Sequence, residues 1–104
     1  MNKKRCFTIK VIDSFGEFIE AFGVFEEQVI RQLVEKAEQK NMSCLAYIDL
    51  SRDTYFNEYQ CDDIKEELSI LRDNGFDDVL DSLKKAVAKA EEVSGFVKVE
   101  HSEL

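Results

Sequence analysis

The 104-residue chain carries 22 acidic side chains against 14 basic ones, a net charge of −8, with 44% hydrophobic residues and no proline. That length fits one domain over residues 1–104, and the apolar content supports a packed core, which excludes the disordered class. No apolar run approaches the roughly 18 residues that cross a membrane, and Lys10 and Asp13 interrupt the segment after the basic start Met1–Arg5, so no secretory leader is read there.

Residues 5–12 alternate, with Phe7, Ile9 and Val11 on one side and Cys6, Thr8 and Lys10 on the other. This is the period of a half-buried strand. Ser14-x-x-Glu17 then has the form of a capping box opening a helix. Phe15, Phe18, Ile19, Phe22, Phe25, Val29, Ile30, Leu33 and Ala37 follow at three- and four-residue steps toward Asn41. Gly16 and Gly23 each cost about 1 kcal/mol in a helix interior, which marks a break near Gly23 and leaves Val24–Lys40 as the firmer part.

Ser43–Leu50 reads as a second strand, with Cys44, Ala46 and Ile48 on one face. A polar turn, Ser51-Arg52-Asp53, joins it to Thr54-Tyr55-Phe56 as a hairpin. Asn57-x-x-Gln60 caps a further helix with the apolar face Cys61, Ile64, Leu68 and Leu71, ending at Asn74-Gly75. Asp77 and Asp78 open the last helix, where carboxylates complement the dipole. Its apolar face runs Val79, Leu80, Leu83, Ala86, Val87 and Ala90, and Phe96–Glu100 closes the chain as a strand. The expected class is α+β, a small mixed or antiparallel sheet of about four strands with three helices, in the order β-α-β-β-α-α-β.

Charge is unevenly placed. Residues 49–81 hold eleven acids against Arg52, Lys65 and Arg72, which accounts for the whole excess of eight. Such a field speeds encounter with a cationic partner and disfavours nucleic acid and anionic membranes as direct ligands. The plainer reading is a solvated surface that keeps the protein soluble, with carboxylates at helix starts serving the dipole.

Catalytic constellations are missing. His101 is the only histidine and lies close to the end, where an exposed position is expected, so there is no internal base for a triad. No glycine-rich phosphate loop and no zinc-ligand spacing occurs. Asp73-Asn74-Gly75-Phe76-Asp77-Asp78 has calcium-loop letters without the alternating ligand positions. Cys6, Cys44 and Cys61 form an odd, widely spaced set, which fits reduced thiols packed as small hydrophobes in a cytoplasmic protein. No catalytic residue, metal or cofactor is expected.

Over Tyr47–Val99 the chain resembles a family of small bacterial proteins that includes immunity proteins paired with toxins, among them those of contact-dependent growth inhibition. The resemblance rests on Tyr47-Ile48-Asp49, on Asp53–Gln60 with its Thr-x-Phe-Asn-x-x-Gln core, on Glu66-Glu67-Leu68-x-x-Leu71, and on Phe96–Val99. Tyr55 stands where relatives tend to have an aliphatic residue. The resemblance implies a cytoplasmic, non-enzymatic binder of a basic, nuclease-type toxin. Asp49, Asp53, Glu58, Asp62, Asp63, Glu66 and Glu67 are then the candidate electrostatic contacts. Arg52, Tyr55, Asn57 and Tyr59 supply hydrogen bonds and aromatic anchors. The alternatives are a metal-dependent enzyme using clustered carboxylates, and an acidic DNA-mimic regulator.

Overall fold

In the computed structural model, which describes residues 5–72 and 75–103, strand β1 (Arg5–Ile12) sits inside the sheet and pairs antiparallel on both sides. Its alternation places Phe7, Ile9 and Val11 in the core. The last strand, Phe96–Glu103, runs beside it and buries Val97 and Val99 on the same side.

The stretch after β1 corrects the sequence reading. Asp13, not Ser14, organises it: its carboxylate accepts from the backbone N–H groups of Phe15 and Glu17, both at 2.9 Å, and closes a hairpin turn. Phe18–Glu26 is then strand β2, paired with β1, and not the first half of a helix. The register explains the misreading. Two register shifts leave Ile19 and Phe22 as extra residues between paired positions, so Phe18, Ala21 and Val24 recur every third residue on one face. Strand bulges at that interval imitate helical spacing.

Gly23 lies where α3 (Asp77–Val93) crosses this strand. Ser82 of α3 donates from Oγ to the Phe22 carbonyl at 2.8 Å, and a β-carbon on Gly23 would stand 2.9 Å from both that hydroxyl and the Phe25 ring. A side chain there would have to displace the Ser82 hydroxyl and the Phe25 ring.

Helix α1 (Glu27–Gln39) buries Ile30, Leu33, Val34 and Ala37. The second correction follows it. Ser43–Leu50 forms no strand, and only a short 3-10 turn, Leu45–Tyr47, appears there. The cause is Glu67, whose carboxylate accepts from the N–H of Cys44 at 3.1 Å and of Leu45 at 2.9 Å. Those amides are no longer available to a ladder. The expected hairpin partner is therefore absent, and Thr54–Phe56 (β3) pairs with the last strand, β4.

Asn57 and Gln60 cap α2 (Glu58–Ile70) reciprocally, each side chain accepting from the other residue's N–H at 2.9 Å. The helix stops at Ile70, before the expected Asn74-Gly75 signal; Asn74 lies outside the described residues. Helix α3 covers its full expected length. It ends on Ser94, at φ 54°, with the Gly95 N–H donating to the Ala90 carbonyl at 2.8 Å.

The class is α+β as expected, a four-stranded sheet, wholly antiparallel, with three helices. The element order is β-β-α-β-α-α-β and the strand order β2-β1-β4-β3. The helices cover the face carrying Phe7, Ile9, Val11, Phe56, Val97 and Val99. The opposite face carries no helix among the described residues. Among the described residues no helix is long and apolar enough to cross a membrane.

Candidate functional site

Helix α2 has two different sides. Cys61, Ile64 and Glu67 point into the protein and are buried. With 3.6 residues per turn, Glu58, Asp62 and Glu66 then form a single outward row, each step a rise of about 6 Å. Tyr59 and Asp63 lie in the adjoining row with Ile70, and all six are exposed; Tyr59 is 77% accessible. Lys65 flanks the row and is occupied, bonding Glu91 and lying 3.8 Å from Asp62. The Glu91 hydrogen bond raises the Lys65 ammonium above its usual range. Five of the eleven candidates, Glu58, Tyr59, Asp62, Asp63 and Glu66, thus share one surface.

The other six are placed elsewhere. Glu67 is a correction: at 6% exposure it belongs to the core, held by the Cys44 and Leu45 amides and by the Ser43 hydroxyl at 3.3 Å. It holds the 43–48 segment and reaches no partner. Asp49 is exposed but engaged, accepting from the N–H of Ser51 at 2.8 Å and its hydroxyl at 2.9 Å. Those bonds hold its carboxyl below the usual carboxylate range. Asp53 accepts from the His101 N–H at 2.8 Å and lies 3.7 Å from Lys98 Nζ, tying the loop to β4. Asn57 is the helix cap, and Arg52 is exposed in the loop before β3. Tyr55 pairs in register with Lys98, so its ring lies on the helix-free face of the sheet, with the ammonium 5.4 Å from the ring centre.

The acidic stretch is also divided in space. An open groove of about 680 Å³ between α2 and α3 has an apolar floor of Leu68 and Leu80 and a rim that includes Lys65, Arg72, Lys84 and Asp77. Asp77 and Asp81 line the α3 side of this groove, opposite α2, and Asp78 borders a separate hollow with Phe25 and Val29. Asp73 lies outside the described residues.

The two core thiols Cys44 and Cys61 are not prepared as nucleophiles. Burial raises the Cys44 thiol, and burial with the nearby Glu91 charge pushes Cys61 up to about 11. Both stay protonated at neutral pH. His101 is half-buried within β4 and not at an exposed end; its ring packs 5.3 Å from that of Phe7, and Nε2 is enclosed without a hydrogen-bond partner. Among the described residues no three of His, Cys, Asp or Glu converge as metal ligands would. The α2 carboxylates splay outward from a convex helix.

Exposed apolar residues outside the candidate set include Phe15, Phe18, Ile19 and Val24 of the first hairpin, expected on a helix, together with Tyr47 and Ile70. Tyr47, 74% accessible, lies in the segment expected as a strand that does not form, and Ile70 lies one position out of step with the buried series ending at Leu71. That offset is itself a legible signal of an outward aliphatic residue. Comparison with known proteins gives no match to a family model, a curated protein or a solved structure.

Proposed function

We propose that the protein is a cytoplasmic immunity protein that captures and occludes a basic toxin of nuclease type. The observation that carries this reading is the outward side of α2, where Glu58, Asp62, Asp63 and Glu66 surround Tyr59 on a helix whose other side is fixed in the core. A carboxylate ladder with an exposed aromatic residue and Ile70 at its end has the composition of a docking surface, with an anchor that buries area and charges that steer approach. A toxin that cleaves nucleic acid presents cationic surface to phosphates, and a row of anions about 6 Å apart complements it. The resemblance over Tyr47–Val99 points to the same class. Asp49, Asp53 and Asn57 serve by shaping the loop and the helix start, and Arg52 lies at the margin.

Reversing Asp62, Asp63 and Glu66 to lysine tests the proposal without touching the core. With the wild-type chain as bait, capture from the native cell retains a basic protein, and raising salt releases it. The triple variant keeps the wild-type circular dichroism but loses that protein, with association at least about tenfold slower. Coexpression of the wild type, and not of the variant, protects cells from the captured protein. Equal capture and protection by both chains would refute the assignment of this surface.

A further inference from the structure

The helix-free face of the sheet is continuous and partly apolar. Register places Phe18, Ile12 and Phe96 in one cross-strand row, Ala21, Lys10, Lys98 and Tyr55 in the next, and Val24, Thr8 and Glu100 in a third. Phe18 is 60% exposed and Val24 64%, with Phe15 on the adjoining turn more exposed still. The charges at its centre are already matched. Lys10 and Lys98 each lie 2.9 Å from Glu100, and Lys98 also lies 3.7 Å from Asp53. A fourth row, Glu26, Cys6 and Ser102, adds one anion, so the described residues of this face carry two cations and three anions, one net negative charge on a molecule of net charge −8.

We infer that this face is the contact between two copies of the chain, packed sheet to sheet into a four-layer dimer. Three arguments select a second copy. The first is size. Three strands of eight or nine residues and one of three cover roughly 450 Å² at ordinary strand spacing and rise. The accessible area of a corrugated face exceeds its footprint, so two copies exclude on the order of 1,000 Å² or more, the scale of a specific interface.

The second is charge. Meeting through this nearly balanced sheet leaves both acidic helix layers outside. The smallest extent of the protomer is 19 Å, so the two layers stand farther apart than the screening length of about 8 Å at physiological salt. Contact through α2 would set the acidic rows against each other. The third is geometry. Pairing edge to edge through β2 needs an even ladder, and the extra residues Ile19 and Phe22 interrupt it. Face packing needs no free amides.

Sedimentation of the full chain tests this, with the toxin left out so that neither reading depends on the other. At concentrations up to about 300 µM the wild type sediments at twice the chain mass. Association strengthens when salt is raised from about 0.01 M to about 0.15 M, because the screening length contracts from about 30 to about 8 Å. Capture of a basic toxin changes with salt in the opposite sense. Val24→Glu and Thr8→Arg add opposite charges to the face, and each weakens the dimer at least about tenfold while retaining the wild-type urea midpoint at dilutions where both chains are monomeric. Hydrogen exchange of β2 backbone amides does not slow on dimerisation. A monomer throughout the range, a dimer that salt dissolves, one indifferent to both substitutions, or one that newly protects β2 amides would each overturn the proposal.

Discussion

Glu67 shows what one buried carboxylate does to the chain around it. Two backbone N–H groups and a hydroxyl converge on it from a segment more than twenty residues away, and in return that segment gives up strand pairing. Glu67→Ala leaves the Cys44 and Leu45 amides enclosed without acceptors. The loss is about 3 kcal/mol, the combined scale of a charge-assisted bond and an orphaned donor, read as a lower urea midpoint. The outward surface of α2 is unchanged by the substitution, since Glu58, Asp62 and Glu66 stay on the other side of the helix. Glycine at 95 is a comparable single-residue constraint, imposed by shape alone. A β-carbon there would collide with the Ile12 carbonyl oxygen, where the chain leaves α3 and enters β4. Gly95→Ala forces one of the two backbones to shift and destabilises by about 2 kcal/mol, measurable as a lower thermal midpoint.

At the scale of elements, what the sequence discloses depends on whether an element's cause is local. Strand β1, the Asn57–Gln60 cap and helix α3 were legible because alternation, capping pair and apolar stripe all lie within their own residues. Strand β2 was not, because two bulges turn a two-residue period into a three-residue one. Its hairpin turn also depends on Asp13, one residue before the serine that resembles a cap. The 43–50 segment was illegible for another reason. Its alternation is genuine, and the group that overrides it comes from the middle of α2. The same limit applied to the candidate site. Counting acids located the helix that carries them, but separating Glu67 from Glu66 required knowing which side faces inward.

For the whole molecule, pH acts through the network on the helix-free face. Hydrogen bonds from Lys10 and Lys98 hold the Glu100 carboxyl below its ordinary value of 4.5. The unfolded chain therefore binds that proton more tightly than the folded one. The network contributes stability above the ordinary value, and the contribution is lost as pH falls through the lowered folded value. In Glu100→Gln, urea midpoints start lower at neutral pH and fall less steeply between about pH 5 and pH 2 than in the wild type. Lys98 works at the other limb. Its hydrogen bond to Glu100 raises it above 10.5, so its share is complete below that value and disappears only in stronger alkali.

The division of α2 into a fixed side and a free side has a consequence for how the protein can diverge. Cys61, Ile64 and Glu67 are bound by packing and by three donated hydrogen bonds. Glu58, Tyr59, Asp62, Asp63 and Glu66 owe nothing to the interior. Substitution on the outward rows can therefore change the surface presented to solvent while the fold keeps its stability, so drift in one set and constancy in the other can coexist within a single helix.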